Sequence, residues 1–185
     1  MDLMLNKLKP VLFLLALVWL TEVINFLSGH SLTSFGILPR TMSGLLGIPL
    51  APFLHAGLWH TISNTLPLLI LGGLLLTNGR NKFWITTISV ILLSGILVWL
   101  FARGSYHVGT SALIFGYFGT LLGTAFFKRS FSSLIAALIT VVLYGGLLWG
   151  LLPVRSYISF EGHFFGLISG VFCSWMLFKA RKPYH

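Results

Sequence analysis

The stretch HVGTSALIFGYFG, His107 to Gly119, places a histidine and a serine at the entrance to a long apolar segment. The serine, Ser111, lies in a Gly-Thr-Ser turn, and His107 stands four residues before it. Burying a hydroxyl or an imidazole in an apolar medium costs free energy unless the group is hydrogen-bonded. The position of these two residues therefore needs a structural or chemical reason, which we sought in the surrounding segments.

The composition indicates a membrane protein. The 185 residues are 56% hydrophobic and 8% charged, with a mean hydropathy of +0.94, whereas soluble domains carry about 25% charged residues. A bilayer is spanned by about 20 apolar residues. The prediction is an all-α polytopic membrane domain over residues 1–185. Its six transmembrane helices are predicted at 10–27, 53–77, 83–101, 109–127, 131–151 and 163–178.

The connection 28–52 is rich in Gly, Ser, Pro and Leu. It is too long for a tight turn and too apolar for free solution, so we expect a loop that lies on or dips into the membrane interface. The first apolar run carries no small-residue cleavage site and Glu22 interrupts its end, so we expect it not to be a cleaved signal. The single cysteine, Cys173, excludes an internal disulfide.

The net charge of +9 follows the predicted topology and does not indicate nucleic-acid binding. Only Arg40, Arg103 and Arg155 fall in the loops on one side of the predicted bundle. The basic residues on the other side are Lys7, Lys9, Arg80, Lys82, Lys128, Arg129, Lys179, Arg181 and Lys182. Because cytoplasmic loops carry an excess of Lys and Arg, both termini are predicted to be cytoplasmic, in a multi-pass protein of the cell's inner or plasma membrane.

Polar residues open the second, fourth and sixth predicted spans, which all run from outside to inside. Asn64, Ser111 and His163 lie 16, 17 and 16 residues before the cytoplasmic basic residue that ends their span. At 1.5 Å per residue, each side chain is about 24–25 Å above those charges. Because the three share one depth near the outer surface, and polar groups inside a membrane are costly and functional, we expect them to form one site.

Small residues at four-residue spacing predict close packing of the fourth and sixth spans. From Ser111, steps of four reach Phe115, Gly119 and Gly123. The sixth span repeats the pattern with Gly162, Gly166, Gly170 and Ser174. Two helices with such faces can press together, which would bring Ser111 beside His163.

A serine hydroxyl beside a neutral histidine favours nucleophilic catalysis, because the imidazole can take the hydroxyl proton. Glu161 is predicted to point away from His163, so we expect a Ser-His dyad without a carboxylate. The backbone N–H of Ser111 lies at a helix start, where it is free to bind an oxyanion. His60 and Asn64 are spaced i and i+4 on one helix face and are candidate side-chain donors for the same oxyanion.

The segments HAGLWHTISN, GTSALIFG and GHFFGLISG, in this order, resemble the three signature segments of rhomboid intramembrane serine proteases. The resemblance implies Ser111 as nucleophile and His163 as general base. It implies an oxyanion hole of His60, Asn64 and the Ser111 backbone N–H, with supporting roles for His55, Phe115, Gly109 and Gly166. The implied reaction is hydrolysis of a peptide bond in or near the transmembrane segment of a membrane-protein substrate, with no cofactor and no metal.

The expected partners are transmembrane substrates and membrane lipid, with the oligomeric state left open. Several residues depart from the common rhomboid pattern. Phe115 stands where many members have tyrosine, so its ring can stack on His163 without supplying a hydroxyl. Gly162 replaces a common alanine, Ala112 a frequent glycine, and 28–52 lacks a Trp-Arg pair. These departures bear on loop packing and substrate preference.

Two alternatives compete with proteolysis. One is a proteolytically inactive rhomboid-like protein that binds membrane clients, although such proteins typically lack the serine or the histidine. The other is a transporter or metal site lined by His55, His60, His107 and His163. His55 and His60 are about 140° apart on a helix, which argues against a shared metal.

Two further polar residues carry expectations of their own. His107 is expected to cap a helix or lie at the interface, with lining of the substrate entrance as the alternative. Glu22 is expected to pair with a loop donor, of which Arg40 is one possibility.

Overall fold

The computed structural model describes residues 2–153 and 159–179, with side chains from Asn6 onward. The described chain is helical, as predicted, and its one β-type pairing is an isolated bridge between Ile37 and His107. Three short 3-10 segments occupy Ser31–Phe35, Ala51–Phe53 and Gly145–Leu151. The α-helices are α1 Asp2–Leu27, α2 Met42–Leu50, α3 Leu58–Leu76, α4 Arg80–Phe101, α5 Ser111–Lys128, α6 Phe131–Tyr144 and α7 Phe160–Phe178.

Five segments of the described chain are long and apolar enough to cross a membrane. They are α1 from Asn6, then α3, α4, α5 and the continuous stretch Phe131–Leu151. The helix α7 has 19 residues but falls outside this set. Its first turn carries Glu161 and His163, whose polarity lowers its mean hydropathy. The span predicted as one α-helix at 131–151 is α6 followed by a 3-10 segment.

The connection 28–52 is not the loop that we expected, because it contains a 3-10 segment and the helix α2. Two glycines of α2 allow its backbone to approach 36–38: a Cβ at Gly44 or Gly47 would overlap a carbonyl oxygen of that stretch. Ile48 of α2 fills the space over Gly95 of α4. Glycine and proline in the sequence suggested a loop, yet here the glycines permit close helix packing.

The helix α5 lies at the centre of the bundle and packs against α3, α4, α6 and α7. Its interior side chains are apolar or internally bonded. Tyr117 is fully buried, and its hydroxyl lies 2.7 Å from that of Thr87 on α4. This central position makes the start of α5 a fixed point against which the other helices are placed.

The backbones of α5 and α7 are in direct contact through their glycines, as the spacing predicted. A Cβ at Gly166 would overlap the carbonyl oxygen of Ala112, and one at Gly119 would overlap that of Leu167. A Cβ at Gly170 would overlap the carbonyl oxygen of Gly116. Three such contacts along one line hold the two helices in register and bring their first turns together.

Gly166→Ala is therefore expected to destabilise the protein by about 1–3 kcal/mol, because the added methyl group overlaps a backbone carbonyl that cannot rotate away. Thermal unfolding in detergent measures the loss. Gly73→Ala is the matched control, since its Cβ would make only an ordinary 3.4 Å contact with Leu8. Its higher helix propensity should leave stability unchanged or raised by up to about 1 kcal/mol. Equal melting temperatures for the two variants would contradict the contact.

Candidate active site

Ser111 and His163 meet where α5 and α7 begin, with Oγ of Ser111 2.9 Å from Nε2 of His163. The other ring nitrogen, Nδ1, lies 2.8 Å from the carbonyl oxygen of Gly150. A carbonyl oxygen can only accept, so Nδ1 carries the proton and donates it. The lone pair of Nε2 then accepts the hydroxyl hydrogen of Ser111. This is the tautomer that a general base needs.

The ring of His163 is held from two sides. Phe115 stacks on it with ring centroids 4.3 Å apart and planes 9° from parallel. The carbonyl oxygen of Gly150 holds the ring edge through its bond to Nδ1. The residue is also close to the ring, since a Cβ there would lie 3.0 Å from Nδ1 and 3.2 Å from Cζ of Phe115. The stacking was foreseen from Phe115, whereas Gly150 was missed, because nothing in a glycine-rich helix end marks one glycine as a histidine partner.

His60 and Gly109 are in contact beside the serine. Gly109 has φ +114°, a backbone conformation that residues with a Cβ rarely adopt. A Cβ at this position would also lie 2.7 Å from Cε1 of His60. Gly109 is therefore required twice, once for its backbone angle and once to leave room for the imidazole.

Asn64 lies one turn along α3 from His60, and its side chain is buried. Its amide nitrogen Nδ2 makes no hydrogen bond to any residue in the described part of the chain. A buried polar group without a partner costs free energy, so few are kept without a reason. The hydrogen-bonding capacity of this N–H₂ group is therefore unused within the described part of the chain.

One cavity of about 990 Å³ connects these groups. Its polar wall includes Ser111, His163, His60 and Asn64, together with Arg103, His107 and Ser159. Its apolar wall includes Trp59, Pro67, Ile114, Phe115 and Leu147. The first-turn amides of α5 have no intrahelical acceptor. An oxyanion beside Ser111 could therefore receive hydrogen bonds from a backbone N–H, from Asn64 and from His60.

His55 lies outside α3, fully buried, and its ring contacts that of His60 at 4.9 Å between centroids. His55 and His60 are therefore not 140° apart on one helix, as the sequence suggested, because α3 begins only at Leu58. Burial lowers the pKa of His55 to about 3, and the neighbouring His60 adds to this shift. A neutral His55 accepts a long hydrogen bond from the backbone N–H of Thr110 at 3.4 Å, so it supports both His60 and the turn before Ser111.

The four histidines of the suggested metal site are divided among three places: the His55–His60 pair, His163 with Ser111, and His107 with Ser159. Within 2–153 and 159–179, no three His, Cys, Asp or Glu side chains are grouped as metal ligands.

The expectation that Glu22 pairs with a loop donor is wrong for the described residues, and Arg40, the donor named as one possibility, bonds elsewhere. Arg40 donates instead to the carbonyl oxygens of Leu100 and Ala102, at 3.2 and 2.9 Å, and so fastens the segment before α2 to the end of α4. Glu22 is buried, and neither carboxylate oxygen has a hydrogen-bond donor among the described residues.

Glu161 contacts Arg103 in the loop before α5, where Oε1 lies 3.4 Å from both the backbone N and Nε of Arg103. The ring of His163 is bonded to Ser111 and Gly150. The site is therefore a serine–histidine pair whose histidine is oriented by a backbone carbonyl.

His107 does not cap α5 or α7, whose N-caps are Thr110 and Ser159. It is buried, and both of its ring nitrogens are hydrogen-bonded. Burial lowers its pKa, opposed in part by the bond to the Arg103 carbonyl and by the charge of Glu161. It also lines the cavity, as its alternative role predicted. Its partner Ser159 was missed, because a serine before a helix usually indicates a cap and no more.

The protein is thus a helical membrane protein with a serine–histidine pair that faces a cavity. Residues 42–180 match the model of the family described as Rhomboid domain. An uncharacterized protein of Mycobacterium tuberculosis is 37% identical over 181 residues, covering 93% of this chain and 75% of its own length. An uncharacterized protein of Mycobacterium leprae is 38% identical, covering 93% and 72%. The chain belongs to the rhomboid family.

Proposed function

We propose that this rhomboid-family membrane protein is an intramembrane serine endopeptidase that works through a Ser111–His163 dyad. One observation supports this above all: the 2.9 Å contact between Oγ of Ser111 and Nε2 of His163, with Nδ1 held by the carbonyl of Gly150. Hydroxyl, base and base-orienting group are then in the order that nucleophilic catalysis needs.

The reaction follows from these positions. Nε2 of His163 takes the proton of Ser111 as Oγ attacks the carbonyl carbon of the scissile bond. The negative oxygen that forms is bound by the Ser111 backbone N–H, by Nδ2 of Asn64 and by His60. The imidazolium then protonates the leaving amine, and the C–N bond breaks to give an acyl-serine. Water, deprotonated by His163, hydrolyses the ester and regenerates the hydroxyl.

The imidazolium formed during this cycle is stabilised without a carboxylate contact. Its Nδ1–H donates to the carbonyl of Gly150 at 2.8 Å, and charge-assisted hydrogen bonds are stronger than neutral ones. The face of Phe115, stacked at 4.3 Å, adds a cation–π attraction. Phe115 thus supports the base through its ring face, without the hydroxyl that a tyrosine would bring.

We place the cavity toward the outer side of the membrane and both termini in the cytoplasm. Lys82 in the first turn of α4 and Lys128 at the end of α5 both lie over the ring of Phe178 at the end of α7, 4.6 and 5.8 Å from its centroid. These basic residues therefore gather at the end of the bundle opposite His163, which the positive-inside rule assigns to the cytoplasm. Three residues of the charge distribution along the sequence, Arg155, Arg181 and Lys182, lie outside the described residues.

The substrate is a transmembrane segment that can leave the helical state. In an intact helix, each carbonyl is bonded to the amide four residues on and is shielded from attack. Unwinding a turn in lipid leaves backbone groups unpaired, at a cost of several kcal/mol each. Glycine or proline in the outward half of the substrate reduces this cost, so such single-span proteins should be cut near their outward end.

Replacing these substrate residues with leucine, while keeping the cut residue, should slow cleavage by about 5-fold for a glycine and about 100-fold for a proline, following helix penalties of about 1 and 3 kcal/mol. Purified protein in liposomes and mass spectrometry of the fragments give both the rate and the site. An all-leucine segment cut equally fast would exclude unwinding as the selective step. A cut near the cytoplasmic end would contradict the proposed orientation.

A further inference from the structure

His107 connects the segment that leads to the serine with the turn that leads to the histidine. We propose that His107 is a positioning residue that sets the Ser111–His163 distance through Ser159, an inference that rests on the proposed peptidase function. Nδ1 of His107 lies 2.6 Å from Oγ of Ser159, and Nε2 lies 3.0 Å from the carbonyl oxygen of Arg103. We call these two hydrogen bonds the 107–159 link.

The polarity of the link follows from the groups that it joins. The Arg103 carbonyl can only accept, so Nε2 of His107 carries the proton and Nδ1 accepts from the hydroxyl of Ser159. Oγ of Ser159 in turn accepts from the backbone N–H of Gly162 at 3.1 Å. In this series of hydrogen bonds, every donor meets an acceptor only when the ring of His107 is neutral. The burial of His107 favours its neutral form.

The link acts close to both reacting side chains. His107 precedes Ser111 by four residues, and Ser159 caps α7, which carries His163 in its first turn. The backbone of His107 is also bridged to Ile37, with N···O distances of 2.9 and 3.0 Å. The loop is therefore held from behind while it holds the cap of α7.

A second contact attaches the start of α7 to the same loop. Glu161, next to Gly162 on the same turn, binds the backbone N–H and Nε of Arg103, whose carbonyl the link uses. The turn at 159–162 is thus fixed to the loop at two points, so it can neither tilt nor slide without breaking one of them. Loss of the link removes one of these two attachments, so the first turn of α7 can tilt about the Glu161 contact and about the α5–α7 packing at Gly166. A displacement of about 1 Å at a reacting group costs on the order of 100-fold in rate.

The test measures substrate cleavage, thermal unfolding and the rate at which a fluorophosphonate labels Ser111. His107→Leu removes the link and keeps the Ser159–Gly162 cap, so kcat and the labelling rate should fall about 100-fold with KM within about twofold. Ser159→Ala should have a similar effect on kcat and should lower the melting temperature by about 2–4 °C, because it also removes the cap. The double variant should be no slower than the slower single, because both break one link.

Ser159→Thr keeps a hydroxyl in the same place and should restore kcat to near the wild-type value, which a simple packing role for Ser159 would not predict. Ser169→Ala is the matched control, since Ser169 is also buried on α7 and its hydroxyl has no partner among the described residues. If His107→Leu does not fold, the Ser159→Ala and Ser159→Thr pair decides alone.

Losses that multiply in the double variant, an inactive Ser159→Thr, or single variants with wild-type kcat would each overturn the positioning role. Wild-type protein that neither cleaves nor takes the probe would overturn the peptidase proposal, and this inference with it. Active wild-type protein matched by both variants would overturn the inference alone.

Discussion

Ser111→Ala is expected to abolish peptide-bond cleavage, with kcat lowered by about 10⁴- to 10⁶-fold. The hydroxyl is the only group bonded to Nε2 of His163 in the described structure, so its loss leaves the base with nothing to activate. His163→Ala should be equally inactive. The double variant should be no worse than either single one, because the pair acts as a unit. Fragment formation from a single-span substrate in liposomes measures all three.

Folding must be shown to survive these changes. Ser111 and His163 are at the wall of an open cavity, so both alanine variants should keep a melting temperature close to that of the wild type. Ser169→Ala, a serine removed from the interior of α7, should keep full activity. If Ser111→Ala keeps substantial activity and melts at the wild-type temperature, Ser111 is not the nucleophile.

Asn64→Leu should lower kcat by about 10²- to 10³-fold, the usual effect of removing one oxyanion donor. The same change should not reduce the melting temperature. Nδ2 of Asn64 has no partner in the described structure, so an apolar replacement breaks no hydrogen bond there and removes a buried unpaired group. A variant that loses activity while holding or gaining stability identifies a group kept for the reaction.

Thr86→Val provides the comparison for this effect. Thr86 is also buried, its hydroxyl also lacks a partner among the described residues, and it lies on α4 away from the cavity. It should gain or hold stability like Asn64→Leu and, unlike it, keep kcat. A folded Asn64→Leu variant that cleaves at the wild-type rate would show that Asn64 does not bind the oxyanion. A variant that unfolds would contradict the expected stability and show that the amide is needed for the fold.

The site was predictable from the sequence to the extent that helices obey simple periodic rules. Ser111 and His163 could be paired because they lie 17 and 16 residues before the basic residues that follow their helices, and because these two helices were predicted to run in the same direction. The glycine spacing then predicted the α5–α7 contact, which the overlap of a Cβ at Gly166 with Ala112 confirms. The roles assigned to these residues remain predictions.

The contacts of Gly150 and Ser159 with the two histidines could not be predicted, because they depend on the path of the irregular segments between the helices. The carbonyl of Gly150 orients His163 only because α6 ends in a 3-10 segment at that depth. Ser159 reaches His107 across 52 residues of sequence. The helix α2 was hidden by glycines that usually indicate turns. The Glu22–Arg40 pairing failed because opposite charge alone does not show which donors are near.

Reaction of purified protein with a fluorophosphonate, followed by mass spectrometry of the digested chain, tests the dyad most directly. The probe forms a covalent bond only with a hydroxyl activated by a neighbouring base. We expect an adduct on Ser111 of the wild type and none on His163→Ala, in which the Ser111 hydroxyl has lost its base. An unlabelled wild-type Ser111, as in a protein that binds membrane clients without cutting them, or equal labelling of the two proteins, would contradict this expectation.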